Sequence, residues 1–397
     1  MKHVLIALAL LVLFVSYFPV GCGTSGGGSD NISVEDADPP PAPAQVVISS
    51  VRDLGVIRTD SAILKRDCGI SALFQGRSVW LFGDTLLSIP NEENKTFLGN
   101  SWSSTYDLDA GDGIAGFTER VDSVGAPMEF FPLTEKEKLL AKDRDDPVCE
   151  EESCSGHWDI WPGAILVDEE KDWAYVFYRK VYCESGDFNF FHVGHSLAVW
   201  KNFSDAPERP VFNYVDSYPT LFFSEEGEAG FGSAAILVGK DAYVYGCELE
   251  DESLTKPCHL ARVPIADILD KNAWSFFDGA GHWLQNSSES GAIFSGNDMM
   301  SVFFNPYINR YVAVYSESLG ATAMLRTAEQ PEGPWSAPIR LFSIDAPENV
   351  HGWVYDFLAH PELSQDNGRI IYISYTKKLD QMHSELRLVA VELALSQ

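Results

Sequence analysis

The chain has 397 residues, of which 58 are acidic and 28 basic, for a formal charge of −30. That balance argues against nucleic acid or an anionic membrane surface as a partner and leaves neutral ligands and cations. With 45% hydrophobic and 12% aromatic residues, the chain can bury a large core and still offer rings for stacking on sugars.

At the N-terminus, Lys2 and His3 precede an apolar run, Val4 to Phe14, too short to span a bilayer and followed by small residues, which is the pattern of a secretion signal. Cys22 follows Pro19-Val20-Gly21 and opens a Gly/Ser run, an arrangement that resembles a bacterial lipoprotein signal. The resemblance implies a signal peptide over residues 1–21, acylation of Cys22, and membrane contact only through that N-terminal lipid in the bacterial cell envelope. Cleavage nearby to release a soluble secreted protein is the alternative. Residues 22–45, with Pro39-Pro40-Pro41-Ala42-Pro43, read as a tether that is flexible and then stiffer. The folded domain is expected over residues 46–397.

Its first feature is Arg66 to Thr85, which reads as a β-hairpin turning at Gly76-Arg77, with Asp67 and Asp84 emerging on one edge. Strands resembling WLFGDT at Trp80 recur at Tyr175, Tyr243, Tyr311 and Tyr372, each preceded by a turn and a further strand candidate. The candidates are ISALFQGRS, GAILVDEEKD, SAAILVGKDA, MSVFFNPYINR and HPELSQDNGR. A unit of roughly 60 to 70 residues accommodates one four-stranded antiparallel sheet, so the chain reads as all-β, a five-bladed β-propeller. The first unit carries an insertion between Leu86 and Trp158. Helix is expected only at Ala266 to Asn272 and Thr134 to Lys142.

Setting Cys22 aside, six cysteines remain, an even number suited to an oxidising compartment. Cys149 with Cys154 and Cys247 with Cys258 are the favoured local pairs, which leaves Cys68 with Cys183 by elimination among fifteen connectivities. No CxxC pair occurs, which argues against zinc. His192 and His195 read as satisfied loop histidines, and Asp107 to Gly113 as a turn rather than an EF-hand loop, because Gly111 and Thr118 stand where acids are needed.

Glycosidase chemistry needs two carboxyl groups across the scissile bond, and Asp67 and Asp84 could supply them. The hairpin motif at Asp67 to Thr85, W-P-G-A at Trp161, L-A-R-V-P at Leu260, R-T-A-E-Q-P-E-G-P-W at Arg326 and A-H-P-E-L at Ala359 together resemble the five-bladed propellers of domain-of-unknown-function family 4185. That family includes the endo-D-arabinofuranases of glycoside hydrolase family 183. The resemblance spans about residues 50 to 395. It implies an inverting hydrolysis of an extracellular polysaccharide by a monomer, with Asp67 as general base and Asp84 as general acid, the reverse order remaining open. Glu248, Asp298 and Glu317 are candidates for a third acid. Related propeller glycosidases place a histidine near a central calcium, which nominates His360 and implies calcium as cofactor. Trp161, Trp102, Trp353 and Arg326 are the candidate sugar-binding residues, whereas Trp335 is expected to pack between blades. A non-catalytic glycan-binding surface lipoprotein is the alternative reading.

Overall fold

The computed structural model describes residues 45–135, 137–138, 157–184, 189–247, 256–317, 320–349 and 351–396. Cys22, Glu248 and the segment expected to be signal and tether up to residue 44 lie outside the described residues. Both members of one favoured disulfide, Cys149 and Cys154, lie outside them too.

Among the described residues, five antiparallel blade sheets follow one another along the chain, and a small three-stranded sheet joins Ile63–Lys65, Thr85–Leu87 and Phe97–Leu98. Blade 1 comprises Cys68–Phe74, Arg77–Phe82, Ser101–Thr105 and Thr118–Glu119. Blade 2 comprises His157–Asp168, Trp173–Cys183, Phe190–Trp200 and Phe223–Ser224. Blade 3 is built on Phe231–Val238, Asp241–Cys247 and Lys256–Pro264, with short outer strands beyond them. Blade 4 runs from Met300–Asn305 through Arg310–Ser316 and Thr322–Ala328 to Ile339–Ser343. Blade 5 joins Trp353–Ala359, Ile370–Lys378 and Ser384–Ser396, and takes Gln45–Val56 as its outer strand.

Two observations close the ring. The inner strands of blades 1 to 5 touch in cyclic order, and the fifth returns to the first. Gln45–Val56 pairs antiparallel with Ser384–Ser396, so strands from the two ends of the fold share one blade. Each blade buries both faces against its neighbours, as the near-continuous apolar runs of the second strands require. Five parts of the core accordingly fill the blade junctions, and a small sixth cluster of Leu87, Leu98 and Ala126 lies under the three-stranded sheet. Phe74, Trp200 and Tyr178 pack between blades 1 and 2, Phe223, Phe231 and Trp274 between 2 and 3, and Tyr245, Phe294 and Tyr315 between 3 and 4. Val314, Phe357 and Tyr375 fill the junction of 4 and 5, and Trp80, Tyr372 and Leu386 that of 5 and 1. Trp335, beside Tyr245 and Phe294, is the blade-packing residue expected of it.

All five recurring aromatic strands are second strands of blades, but two local readings change. Phe74 pairs with Arg77, which places the first hairpin's turn at Gln75-Gly76, one residue earlier than expected. Both turn residues take positive φ, 47° and 76°, the conformation a two-residue hairpin turn needs to match strand twist. Asp67 therefore lies opposite Gly83, whose N–H donates to the Asp67 carbonyl at 3.2 Å. In blade 5 the segment HPELSQDNGR is not the inner strand. It forms two 3₁₀ turns, Pro361–Leu363 and Asp366–Gly368, and the inner strand lies just upstream at Trp353–Ala359.

Candidate active site

Asp67 and Asp84 leave opposite strands of the same hairpin end and face one cavity of about 440 Å³. All five blades line it, each at the start of its inner strand, so it lies on the propeller axis. Four blades contribute a carboxylate there: Asp67 from blade 1, Asp159 from blade 2, Asp298 from the approach to blade 4 and Asp356 from blade 5. Blade 3 contributes Ser233. Trp161, Phe190, Trp353 and Tyr355 supply aromatic walls, and Lys65, Arg179 and Lys378 are cations in its lining.

Local backbone geometry aims these groups. The inner strands of blades 1 and 5 both carry bulges, between Cys68 and Ile70 and between Tyr355 and Leu358. Cys68 and Asp356 sit at these irregularities with φ of 67° and 54°, a region that ordinary side chains enter at a cost and that clusters at functional sites. The Cys68 N–H donates to Asp356 Oδ2 at 3.2 Å, which ties the two bulges together. Tyr355 donates its hydroxyl to Asp67 Oδ2 at 3.0 Å, and the Cys68 thiol lies 3.7 Å from Asp67 Oδ1. On the other side, the Trp161 indole N–H donates to Asp84 Oδ1 at 3.0 Å.

Crowding of carboxylates governs their proton affinities. Burial, then the charges of Asp67 and Asp159, hold Asp84 well above the usual carboxylate range, against the Trp161 hydrogen bond. Asp67 is also raised by burial, with Lys65 and the Tyr355 hydrogen bond opposing. Asp356 is pushed up to about 8 by burial and by Asp67 and Asp298. Asp298 goes the other way, because Lys256 and Arg179 overcome its burial. Arg179 holds Asp298 Oδ2 at 2.8 Å, and Lys256 binds the other oxygen. Asp298 is thus favoured as an anion, whereas burial and the neighbouring carboxylates favour the protonated forms of Asp84 and Asp356.

Asp356 carries a test of this electrostatic picture. Because its folded-state affinity lies near 8 and an unfolded aspartate titrates at about 3.9, the fold loses stability as pH rises between the two values. Asp356→Asn, which keeps an acceptor for Cys68 and tolerates positive φ, is expected to leave the melting temperature unchanged near pH 4 and to raise it at pH 8. Parallel thermal melts at the two pH values measure this, and equal shifts at both would contradict the assignment.

The other candidate residues separate clearly. Trp161 and Trp353 line the cavity. Trp102 does not. It is buried in the junction of blades 1 and 2, edge-on to Trp200 at 5.1 Å and stacked with Phe203, because its strand faces the core there. Arg326 also lies away from the cavity, spending its guanidinium on the Tyr315 hydroxyl at 2.8 Å and the Ser336 carbonyl at 2.6 Å within blade 4. Glu317 follows the second strand of blade 4 and is not among the cavity residues.

His360 is fully buried at the far end of blade 5's inner strand, stacked on Trp80 at 4.0 Å, with Nδ1 2.6 Å from Ser71 Oγ. Burial lowers its pKa to about 3. A calcium site needs converging oxygens around open space, and this ring has an indole against its face and lies outside the cavity, so its surroundings do not fit that ion. His192 and His195 are strand residues of blade 2, not loop residues. His195 accepts from Arg179 Nε at 2.8 Å. Asp107 does form a turn, its carboxylate accepting from the N–H groups of Asp109 and Ala115 at 3.2 and 3.0 Å.

Cys247 and Cys258 are disulfide-bonded, as direct cross-strand partners in blade 3. The expected bridge between Cys68 and Cys183 is not formed. Both are free thiols, and each is directed to a carboxylate, Cys68 toward Asp67 and Cys183 toward Asp159 Oδ2 at 3.4 Å. The pairing expected of Cys149 and Cys154 falls outside the described residues, so among those residues the blade 3 bridge is the disulfide present. Asp159 and Asp356 were not distinguished by sequence. The signal lay in the repeat itself, since both occupy the inner-strand starts that Asp67 occupies in blade 1.

No curated protein matches the chain in sequence. Among solved structures, a Dyadobacter fermentans protein of unknown function is 10% identical with a TM-score of 0.45, over 88% of this chain and 99% of that one. An α-L-arabinofuranosidase of Podospora anserina, solved with cellotriose, has the same identity and TM-score of 10% and 0.45, over 86% and 95%. An endo-1,4-β-xylanase of Bacteroides thetaiotaomicron is 11% identical with a TM-score of 0.41, over 88% and 97%. A family model described as a domain of unknown function (DUF5005) matches residues 66–388. That match spans most of the propeller, from the residue before Asp67 into the last strand of blade 5, and the chain belongs to this family.

Proposed function

We propose that the protein is a glycoside hydrolase that cleaves an extracellular polysaccharide in its axial cavity by inversion. The reading rests on one observation: two carboxylates on one hairpin end, Asp67 and Asp84, face a cavity walled by Trp161, Phe190, Trp353 and Tyr355. Sugars stack on such rings through their C–H faces, and a carboxyl pair is the equipment for general acid–base attack on an acetal.

Asp84 is assigned as the acid and Asp67 as the base. The Trp161 N–H occupies Asp84 Oδ1, leaving Oδ2 to carry the proton that passes to the leaving oxygen as the C1–O bond breaks. Asp67, with Lys65 favouring its anion and Tyr355 fixing Oδ2, takes a proton from the water that attacks C1. Solvent then reprotonates Asp84 and removes the proton from Asp67. D-Arabinan is the substrate favoured by the resemblance of the hairpin and W-P-G-A motifs to the endo-D-arabinofuranases. The N-terminal sequence supports action from a lipid anchor at Cys22 on the bacterial envelope.

The test is incubation with D-arabinan and a panel of arabinose-, xylose- and galactose-containing polysaccharides, following new reducing ends. Product from one glycan class supports the reading and names the substrate. Saturable binding with no product on any member would replace it with the glycan-binding lipoprotein.

Gly83 gives a second check on the base. A Cβ at this position would lie 2.6 Å from Asp67 Oδ1, below any contact distance, so the carboxylate would have to move. Gly83→Ala is expected to lower kcat by about 10²-fold with an unchanged circular dichroism spectrum, since small misplacements of a catalytic group are that costly. Full activity in this variant would remove Asp67 from the chemistry.

A further inference from the structure

The wall that blade 2 gives to the cavity holds a second constellation, which the hydrolysis does not use as acid or base. His157 and Asp159 stand two residues apart on the inner strand and so project from one face of the sheet. Cys183, ending the second strand, is the direct cross-strand partner of His157, which places its side chain on the same face. Asp159 Oδ2 lies 3.2 Å from His157 Nε2 and 3.4 Å from Cys183 Sγ. One ligand atom from each residue lies within 4.8 Å of the others.

The two separations from Asp159 are close to those of a known coordination shape. Bonds of about 2.0 to 2.1 Å to nitrogen or oxygen and about 2.3 Å to sulfur, at tetrahedral angles, put ligand atoms about 3.3 to 3.6 Å apart. The carboxylate is held in place by its surroundings, because a Cβ on Gly99 would come within 2.3 Å of Asp159 Oδ1 and only glycine admits it. The His157 side chain is 46% exposed and all three residues line the cavity, so a small ion can reach them.

We infer that His157, Asp159 and Cys183 bind a divalent transition metal of the zinc type, with its fourth coordination position open to the cavity. A thiolate and an imidazole beside a single carboxylate select zinc-like ions over calcium or magnesium, which require oxygen ligands. The thiol releases its proton to solvent as the sulfur–metal bond forms. Three protein ligands and one open position are the composition of reactive zinc sites rather than closed structural ones. The site stands whether or not the cavity cleaves glycans. It escaped the sequence because its members are neighbours through strand pairing and share no CxxC spacing.

The test uses the full chain, stripped with a chelator and dialysed against zinc or cobalt chloride. One metal per chain is expected, and cobalt is expected to give a thiolate-to-metal charge-transfer band. Cys183→Ser should abolish the band and weaken zinc binding at least tenfold. Cys68→Ser, which removes the other free thiol, should leave both unchanged. Alkylation of the wild type, mapped by mass spectrometry, needs no substitution: zinc should protect Cys183 and not Cys68, and calcium should protect neither. Cys183 labelling that zinc leaves unaltered would overturn the inference, as would a cobalt band that survives in Cys183→Ser.

Discussion

Replacing Asp84 with asparagine is expected to lower kcat on the cleaved glycan by about 10² to 10⁴-fold, the range supplied by one positioned acid or base. The amide keeps an oxygen for the Trp161 N–H, so fold and KM should change little. The loss falls on proton donation alone. Asp67→Asn is expected to lose a similar factor, because the amide still accepts from Tyr355 but cannot take a proton from water. The wild-type pH profile follows from the same contacts. The proposed mechanism requires Asp67 ionised and Asp84 protonated, and burial raises both affinities. Both limbs of the bell should therefore lie above the ordinary carboxylate range, with apparent values that belong to the pair. Tyr355→Phe removes a hydrogen bond that favours the Asp67 anion, so its rising limb should move to higher pH. A profile unchanged in that variant would count against Asp67 as base.

The second large effect concerns stability. Glu137, in the short helical turn capped by Thr134, accepts from Lys180 at 2.7 Å through Oε1, while Arg209 reaches Oε1 at 3.0 Å and Oε2 at 2.6 Å. The three side chains are 5% exposed or less. Removing the carboxylate in Glu137→Ala deprives two buried cations of their shared partner, an operation that costs about 3 to 5 kcal/mol. Urea denaturation at pH 7 measures it, and a loss within about 0.5 kcal/mol would be the signature of a mere surface substitution.

Acid pH offers an independent reading of the same network. Arg209 and Lys180 overcome burial and hold Glu137 down at about 2, against about 4.3 in the unfolded chain. The folded pKa is depressed, so this stabilisation is present above about pH 4.3 and is lost as pH falls toward about 2. Wild type should lose its advantage over Glu137→Ala across that window.

The second strands were legible because each pairs an aromatic or β-branched run with a turn, and all five blades follow from them. Register was less accessible. Gln75 gives no sign that it will adopt positive φ, so the turn at Gln75-Gly76 was displaced by one residue. Blade 5 misled because HPELSQDNGR, though poor in apolar residues, stands where the repeat puts the strand before Tyr372, whereas the true inner strand, WVYDFLA, carries Asp356 at a bulge that breaks alternation. Missing that strand hid Asp356. Asp159 was hidden differently, since it lies three residues before the W-P-G-A strand's proline in a run that reads only as apolar. The roles of Trp102 and Arg326 depend on which blade junction each side chain enters, and strand patterns do not encode that. Cys183 shows the same limit, because parity suggested a disulfide where the sheet instead sets the thiol beside Asp159.

The decisive measurement is the anomeric configuration of the first product, followed by proton NMR as the wild-type protein acts on the glycan it cleaves. In the proposed mechanism water activated by Asp67 attacks opposite the oxygen that Asp84 protonates, so product of inverted configuration is expected from the first minutes, before mutarotation. Product that forms with retained configuration would contradict the inverting assignment, because the reaction would then pass through a glycosyl–enzyme bond for which neither carboxylate has been assigned.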